Sequence, residues 1–141
     1  MIRRLIILLL IVGCMPEPEP SICDGLTEVE LWGDTVNVAT TDTLDLYNQE
    51  LTGSIPPEIG CLTNLTYLHL GSNQLTGEIP SEIGNLTNLT YLNLGNNQLT
   101  GSIPPEICNL ELIFFYMQNN QFCPPYPECY SIWGQDTSNC P

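Results

Sequence analysis

The sequence predicts an α/β-type repeat solenoid, with a parallel β-sheet on its concave face, 3₁₀ or extended segments on the convex return side, and disulfide-bonded caps. Three observations carry this. The 24-residue block LTYLHLGSNQLTGEIPSEIGNLTN is followed at once by LTYLNLGNNQLTGSIPPEICNLEL, identical at 17 of 24 positions, and a fixed period of this size marks a solenoid. Within each block, Leu68 and Leu70, then Leu92 and Leu94, alternate with polar neighbours as in a strand with one buried face. Cysteines gather at the two ends of the repeated region.

A single turn cannot shelter such leucines alone, but turns stacked at the ~4.8 Å spacing of paired strands build a continuous core. Asn73 and Asn97 fall where the chain leaves the strand and turns inward. There the amide side chain can satisfy backbone groups that no ladder reaches. Gly77 and Gly101 permit tight backbone, and Pro80 and Pro104 stop the strand and prevent an α-helix on the return path.

Leu65, Leu68, Leu70, Asn73 and Leu75 follow L-x-x-L-x-L-x-x-N-x-L, and Leu89, Leu92, Leu94, Asn97 and Leu99 repeat it. This resembles the leucine-rich repeat, and the L-T-G-x-I-P-x-x-I that follows at Leu75 to Ile83 and Leu99 to Ile107 is similar to its plant-type subclass. The resemblance covers residues 41–122 and implies a right-handed coil that acts as a binding scaffold. The first repeat, residues 41–64, has Leu44, Leu46, Leu51, Ile55, Ile59 and Leu62 in core slots, with Thr41 for the leading leucine and Gln49 for the asparagine. The last strand, from Leu112, is one residue short of register and puts Phe115, Met117 and Phe122 in leucine slots.

Arg3 and Arg4 precede the apolar run Leu5 to Val12. That run is too short to cross a bilayer as a helix and suits a secretory signal, residues 1–13. Ile11-Val12-Gly13-Cys14 is similar to a bacterial lipobox, which implies cleavage before Cys14 and lipidation of its thiol. An ordinary signal peptide that contains a cysteine is the other reading. Met15 after the cysteine resembles the outer-membrane class of lipoproteins. Residues 14–22 carry the lipid and a stiff Pro/Glu tether. Residues 23–40 form an N-terminal cap, a hairpin of Glu28 to Leu31 with Thr35 to Val38 around Gly33-Asp34, with Trp32 over the first turn. Residues 123–141 form the C-terminal cap, with Trp133 as its apolar plug.

Of 16 Asp and Glu, none precedes Cys14, and Arg3 and Arg4 are the only Lys or Arg. The expected mature chain is purely acidic. Nucleic acid is excluded as a partner, and contact with a membrane is expected through the lipid anchor only. Seven cysteines behind an export signal indicate an oxidising compartment. With Cys14 lipidated, Cys23, Cys61, Cys108, Cys123, Cys129 and Cys140 remain for three bridges. The repeat register sets Cys61 and Cys108 nearly two turns apart, about 9.6 Å, too far to pair. Cys23 with Cys61 is expected at one end, and two bridges among the other four at the opposite end, with Cys123 to Cys129 disfavoured by the prolines between them. No C-x-x-C spacing suggests a metal site.

Residues between the strand leucines point outward on the concave face and form ladders. Thr43, Tyr67, Tyr91 and Phe114 make the first, Asp45, His69, Asn93 and Tyr116 the second, and Tyr47, Gly71, Gly95 and Gln118 the third. The candidate ligand-binding residues are Asp45, Tyr47, Tyr67, His69, Tyr91, Asn93, Phe114, Tyr116 and Gln118. Rings beside hydrogen-bonding groups suit a protein or glycan ligand, and the same rings also stabilise a sheet as cross-strand pairs. No nucleophile, base and orienting group coincide, so neither enzymatic activity, cofactor nor metal is expected. The sequence therefore reads as a monomeric, non-enzymatic binding module displayed as a lipoprotein on the bacterial outer membrane or cell surface. Two other readings stand beside it: a secreted eukaryotic repeat inhibitor or receptor-like protein glycosylated at Asn64, Asn85 or Asn88, and an adhesive or structural cell-surface protein.

Overall fold

Leu68 and Leu92 are fully buried between strands that run in parallel with a near-constant offset, so each turn of the chain lies on the one before it. The computed structural model of the chain describes residues 21–130, 137, 138 and 140. The expected signal, Cys14, most of the tether and Trp133 lie outside the described residues.

Ten strands are described: β1 (Glu28–Leu31), β2 (Asp34–Asn37), β3 (Thr43–Asp45), β4 (Thr52–Gly53), β5 (Tyr67–His69), β6 (Gln74–Gly77), β7 (Tyr91–Asn93), β8 (Gln98–Gly101), β9 (Phe114–Tyr116) and β10 (Gln121–Phe122). The odd-numbered strands from β3 onward form one parallel sheet in the order β3-β5-β7-β9. Its register pairs Leu44 with Leu68, Leu68 with Leu92, and Leu92 with Phe115. The last pair lies 23 residues apart, the one-residue shortening legible in the sequence.

A second parallel sheet, in the order β10-β8-β6-β4, was not expected from the sequence. Its centre is the two Gln-Leu-Thr-Gly strands β6 and β8, where Leu75 and Leu99 are fully buried and their neighbours on either side are not, and the two-residue strands β4 and β10 form its edges. Gly77 and Gly101 close β6 and β8 with φ of 75°, a left-handed conformation that favours glycine. The two-residue alternation of so short a segment is too weak a signal to separate from a turn. Three 3₁₀ helices follow, Pro57–Cys61, Ser81–Asn85 and Pro105–Asn109, each entered from an extended proline. They supply Ile59, Ile83 and Ile107 to the core.

Close stacking of these 3₁₀ helices sets one residue slot. A Cβ on Gly60 would stand 2.5 Å from the backbone oxygen of Glu82 in the next turn, and one on Gly84 would stand 2.6 Å from the Cβ of Glu106. Cys108 holds the same slot in the last turn, where no further repeat stacks. Its side chain is instead bonded to Cys129 of the C-terminal segment.

Buried amides join the turns on the other side. Asn97 Oδ1 accepts from Leu75 N–H at 3.0 Å while its Nδ2 donates to Leu70 O and Leu94 O, both at 3.0 Å. Asn73 does the same one turn earlier, accepting from Gln49 and Leu51 N–H, and Asn120 one turn later. Gln49, in the asparagine slot of the first turn, has a longer side chain that bonds Tyr47 O instead.

At the N-terminus, β1 and β2 form an antiparallel hairpin. Its second strand begins at Asp34, one residue earlier than expected, because Trp32 and Gly33 make the turn with φ of 50° and 93°. Two successive positive φ values match the twist of tight hairpin turns. Val29 and Leu31 are buried, and Trp32 packs half-buried against the same core. Ser21 and Ile22, assigned to the tether by sequence, enter a turn in which Ser21 N–H bonds Asp24 Oδ2. Disulfides join Cys23 to Cys61, Cys108 to Cys129 and Cys123 to Cys140. Among the described residues no helix is long and apolar enough to cross a membrane.

Candidate functional site

The β3-β5-β7-β9 face takes its chemistry from the period of two: with Leu44, Leu68, Leu92 and Phe115 directed into the core, the residues on either side of each must face outward. The paired register aligns Thr43, Tyr67, Tyr91 and Phe114 in one row and Asp45, His69, Asn93 and Tyr116 in the next.

In the first row, Tyr67 and Tyr91 stack with centroids 4.2 Å apart and planes 12° apart. Phe114 lies 6.0 Å from Tyr91. In the second row, the polar groups bond one another across three strands. Asn93 Oδ1 accepts from Gly95 N–H at 2.9 Å, which turns its Nδ2 toward His69 Nε2 at 3.0 Å. Nε2 must then accept, so the ring proton sits on Nδ1, 3.4 Å from Asp45 Oδ1. Both imidazole nitrogens therefore face polar neighbours on the sheet surface.

Tyr47 departs from its row. Its ring stacks on His69 at 4.8 Å and 21°, one strand over. A Cβ at Gly71 would meet Asn93 Oδ1 at 2.9 Å, and one at Gly95 would meet the Gln118 amide at 2.8 Å. The two glycines are thus a floor covered by neighbouring side chains. Sequence alignment of the third row could not show this, since it gives position along a strand and not the lean of a side chain.

The result is a continuous aromatic surface. Tyr47 and Phe114 are each 51% exposed and Tyr116 39%, with Tyr67 and Tyr91 half-buried between them. Ile113, just before β9, is 71% exposed; ladder residues read from the sequence come only from positions flanking the inward-facing ones, which leaves it out. Burial pushes the Tyr67 phenol above the usual tyrosine value, and the Tyr91 hydroxyl and the Asp45 charge add to the shift. Its neutral form is therefore favoured by folding. That stability is fully present below the unfolded value of about 10 and is lost as pH rises through the raised folded value. Alkaline absorbance titration is expected to show one late phenolate transition that disappears in Tyr67→Phe.

Among the described residues no group of three or more His, Cys, Asp or Glu could hold a metal ion. Of the three glycosylation-type sequences, Asn64 and Asn88 each donate their amide to the preceding turn, at Ala39 O and Thr63 O, both at 2.8 Å.

Comparison with known proteins agrees with this architecture. The family model for leucine-rich repeats in two copies matches residues 63–105, and the single leucine-rich repeat model matches residues 41–62. No curated protein matches the chain by sequence. Among solved structures, the chain is similar to PEPR1-AtPEP1, with 39% identity over 63% of this chain and a TM-score of 0.62. It is similar to the plant peptide hormone receptor RGFR1 in complex with RGF2, with 40% identity over 61% and a TM-score of 0.59. It is also similar to the BIR2 ectodomain from Arabidopsis thaliana, with 34% identity over 62% and a TM-score of 0.60. The chain spans 13%, 14% and 47% of those chains, respectively. Period, stacked parallel strands, buried asparagines and these matches agree: residues 41–105 of the chain are leucine-rich repeats.

Proposed function

We propose that the chain is a non-enzymatic binding module that captures a peptide or an extended protein segment on its β3-β5-β7-β9 face. The observation that carries this is the run of open rings from Tyr47 to Tyr116 across four strands. Rigid aromatic side chains bury area at low entropic cost and are enriched where proteins meet partners. The similar receptor RGFR1, solved with RGF2, is described as a peptide hormone receptor. A sheet of four strands of three residues has a footprint of about 10 Å by 19 Å, which suits an extended peptide better than a standard interface between two proteins. Replacing Tyr67 and Tyr91 together by serine is expected to abolish retention of a randomised peptide library on the immobilised full chain. The variant should keep the wild-type circular dichroism spectrum. Undiminished retention would assign the stacked rings to sheet stability alone.

The proposal places this module on a bacterial envelope as a lipoprotein anchored through Cys14. The lipobox-like Ile11-Val12-Gly13-Cys14 supports it, and the disulfides suit an exported protein. Metabolic labelling with radioactive palmitate is expected to mark the wild-type chain and not Cys14→Ser. A labelled Cys14→Ser chain, or an unlabelled wild type, would remove the anchor.

A further inference from the structure

The concave face has two chemically different ends. At the β3 end stands Asp45, with exposed Asp42 directly before the strand. At the β9 end stand Ile113, Phe114 and Tyr116, all exposed and all uncharged at neutral pH. Between them lie the paired tyrosines and the contact between His69 and Asn93.

Asp45 is only half provided for. Its Oδ1 accepts from Tyr47 N–H at 3.1 Å and faces His69 Nδ1, while Oδ2 has no partner among the described residues. The usual counter-charge for such a group is a lysine or arginine, and the chain has neither after Arg4. The Tyr47 ring beside it is half exposed. A cation bonded to this carboxylate would therefore lie against an aromatic face, a favourable combination for a guanidinium. Net charge adds to the bias, because a chain of formal charge −14 attracts basic partners and repels acidic ones.

We propose that the segment captured here is a basic extended peptide read by its two ends. An arginine or lysine meets Asp45 over Tyr47, and an apolar or aromatic side chain meets Ile113, Phe114 and Tyr116. Three strand spacings of ~4.8 Å separate the ends, about 14 Å, and an extended chain advances ~3.3 Å per residue. The two anchors are therefore about four residues apart in the ligand. This inference rests on the peptide-capture reading above and adds charge and spacing to it.

The test uses the full chain and labelled ten-residue Gly/Ser peptides carrying Arg and Phe four positions apart, in both orders. Control peptides carry Glu and Phe, Arg alone, or Arg and Phe adjacent. Fluorescence polarisation at low salt is expected to show at least about tenfold tighter binding of one spaced Arg/Phe peptide than of the Glu/Phe peptide, with a preference that shrinks as salt rises. Asp45→Asn should bring the two within about threefold of each other, since its effect is on the charged end alone. Phe114→Ser should instead weaken both Phe peptides and leave the Arg preference. Binding that is lost in the double tyrosine variant yet indifferent to charge or spacing, or an Arg preference that survives Asp45→Asn, overturns this inference and leaves peptide capture standing. If no peptide of this set or of a randomised library binds, while a glycan array does, both fall together.

Discussion

Asn97→Ala is expected to lower the unfolding free energy by about 2–4 kcal/mol, because it leaves the buried Leu75 N–H unpaired, at about 1–3 kcal/mol, and removes one of the two amide bonds to each of Leu70 O and Leu94 O, which keep Asn73 and Asn120. The side chain is 9% exposed and its amide reaches Leu75 N–H, Leu70 O and Leu94 O, two turns at once. Alanine leaves a gap in place of the amide and its bonds. Solenoid stability is the sum of turns and the interfaces between them, so loss at a central interface weakens the coupling of both halves. Urea unfolding checks this against Asn88→Ala, which removes one exposed bond to Thr63 O and should cost about 1 kcal/mol. Equal losses would mean that leucine burial alone holds the turns in register.

Removing the Cys23–Cys61 bridge by paired alanine substitution is expected to cost about 4 kcal/mol, and removing Cys123–Cys140 about 3 kcal/mol, from the loop-closure entropy restored to the unfolded chain. The ordering follows from their sequence separations of 38 and 17 residues. The first bridge also fastens the hairpin cap, whose Val29 and Leu31 close the end of the core. Denaturant midpoints of the two double variants under non-reducing conditions decide the matter. A larger loss at the C-terminal pair would show that packing of that cap outweighs chain closure.

The repeat could be read from the sequence because each of its signals is local and recurs. A leucine period, a proline that ends a strand and a glycine with positive φ each act within a few residues. The same arithmetic places Tyr67 beside Tyr91 and Asp45 beside His69, since residues one period apart must become neighbours when turns stack. The one-residue deletion before β9 was visible for the same reason. The cysteine slots were informative too: Cys108 stands where Gly60 and Gly84 stand, and the structure shows that a side chain is tolerated there only because no further turn covers it.

Other features depended on distances that no period encodes. The second sheet rests on segments of two to four residues, whose alternation is indistinguishable from a turn until neighbouring turns supply hydrogen-bond partners. Choosing among the C-terminal bridges required the path of the cap around Tyr126 and Tyr130, whose hydroxyls bond Phe122 O and Leu110 O. The lean of Tyr47 onto His69 required the direction of a side chain one strand away, which position in a period does not give. The sequence by itself determined which side chains share a face, because stacking identical units converts position in a period into position in space. Only the tertiary structure decided which of them touch and which remain open, because those depend on side-chain direction and on contacts between turns.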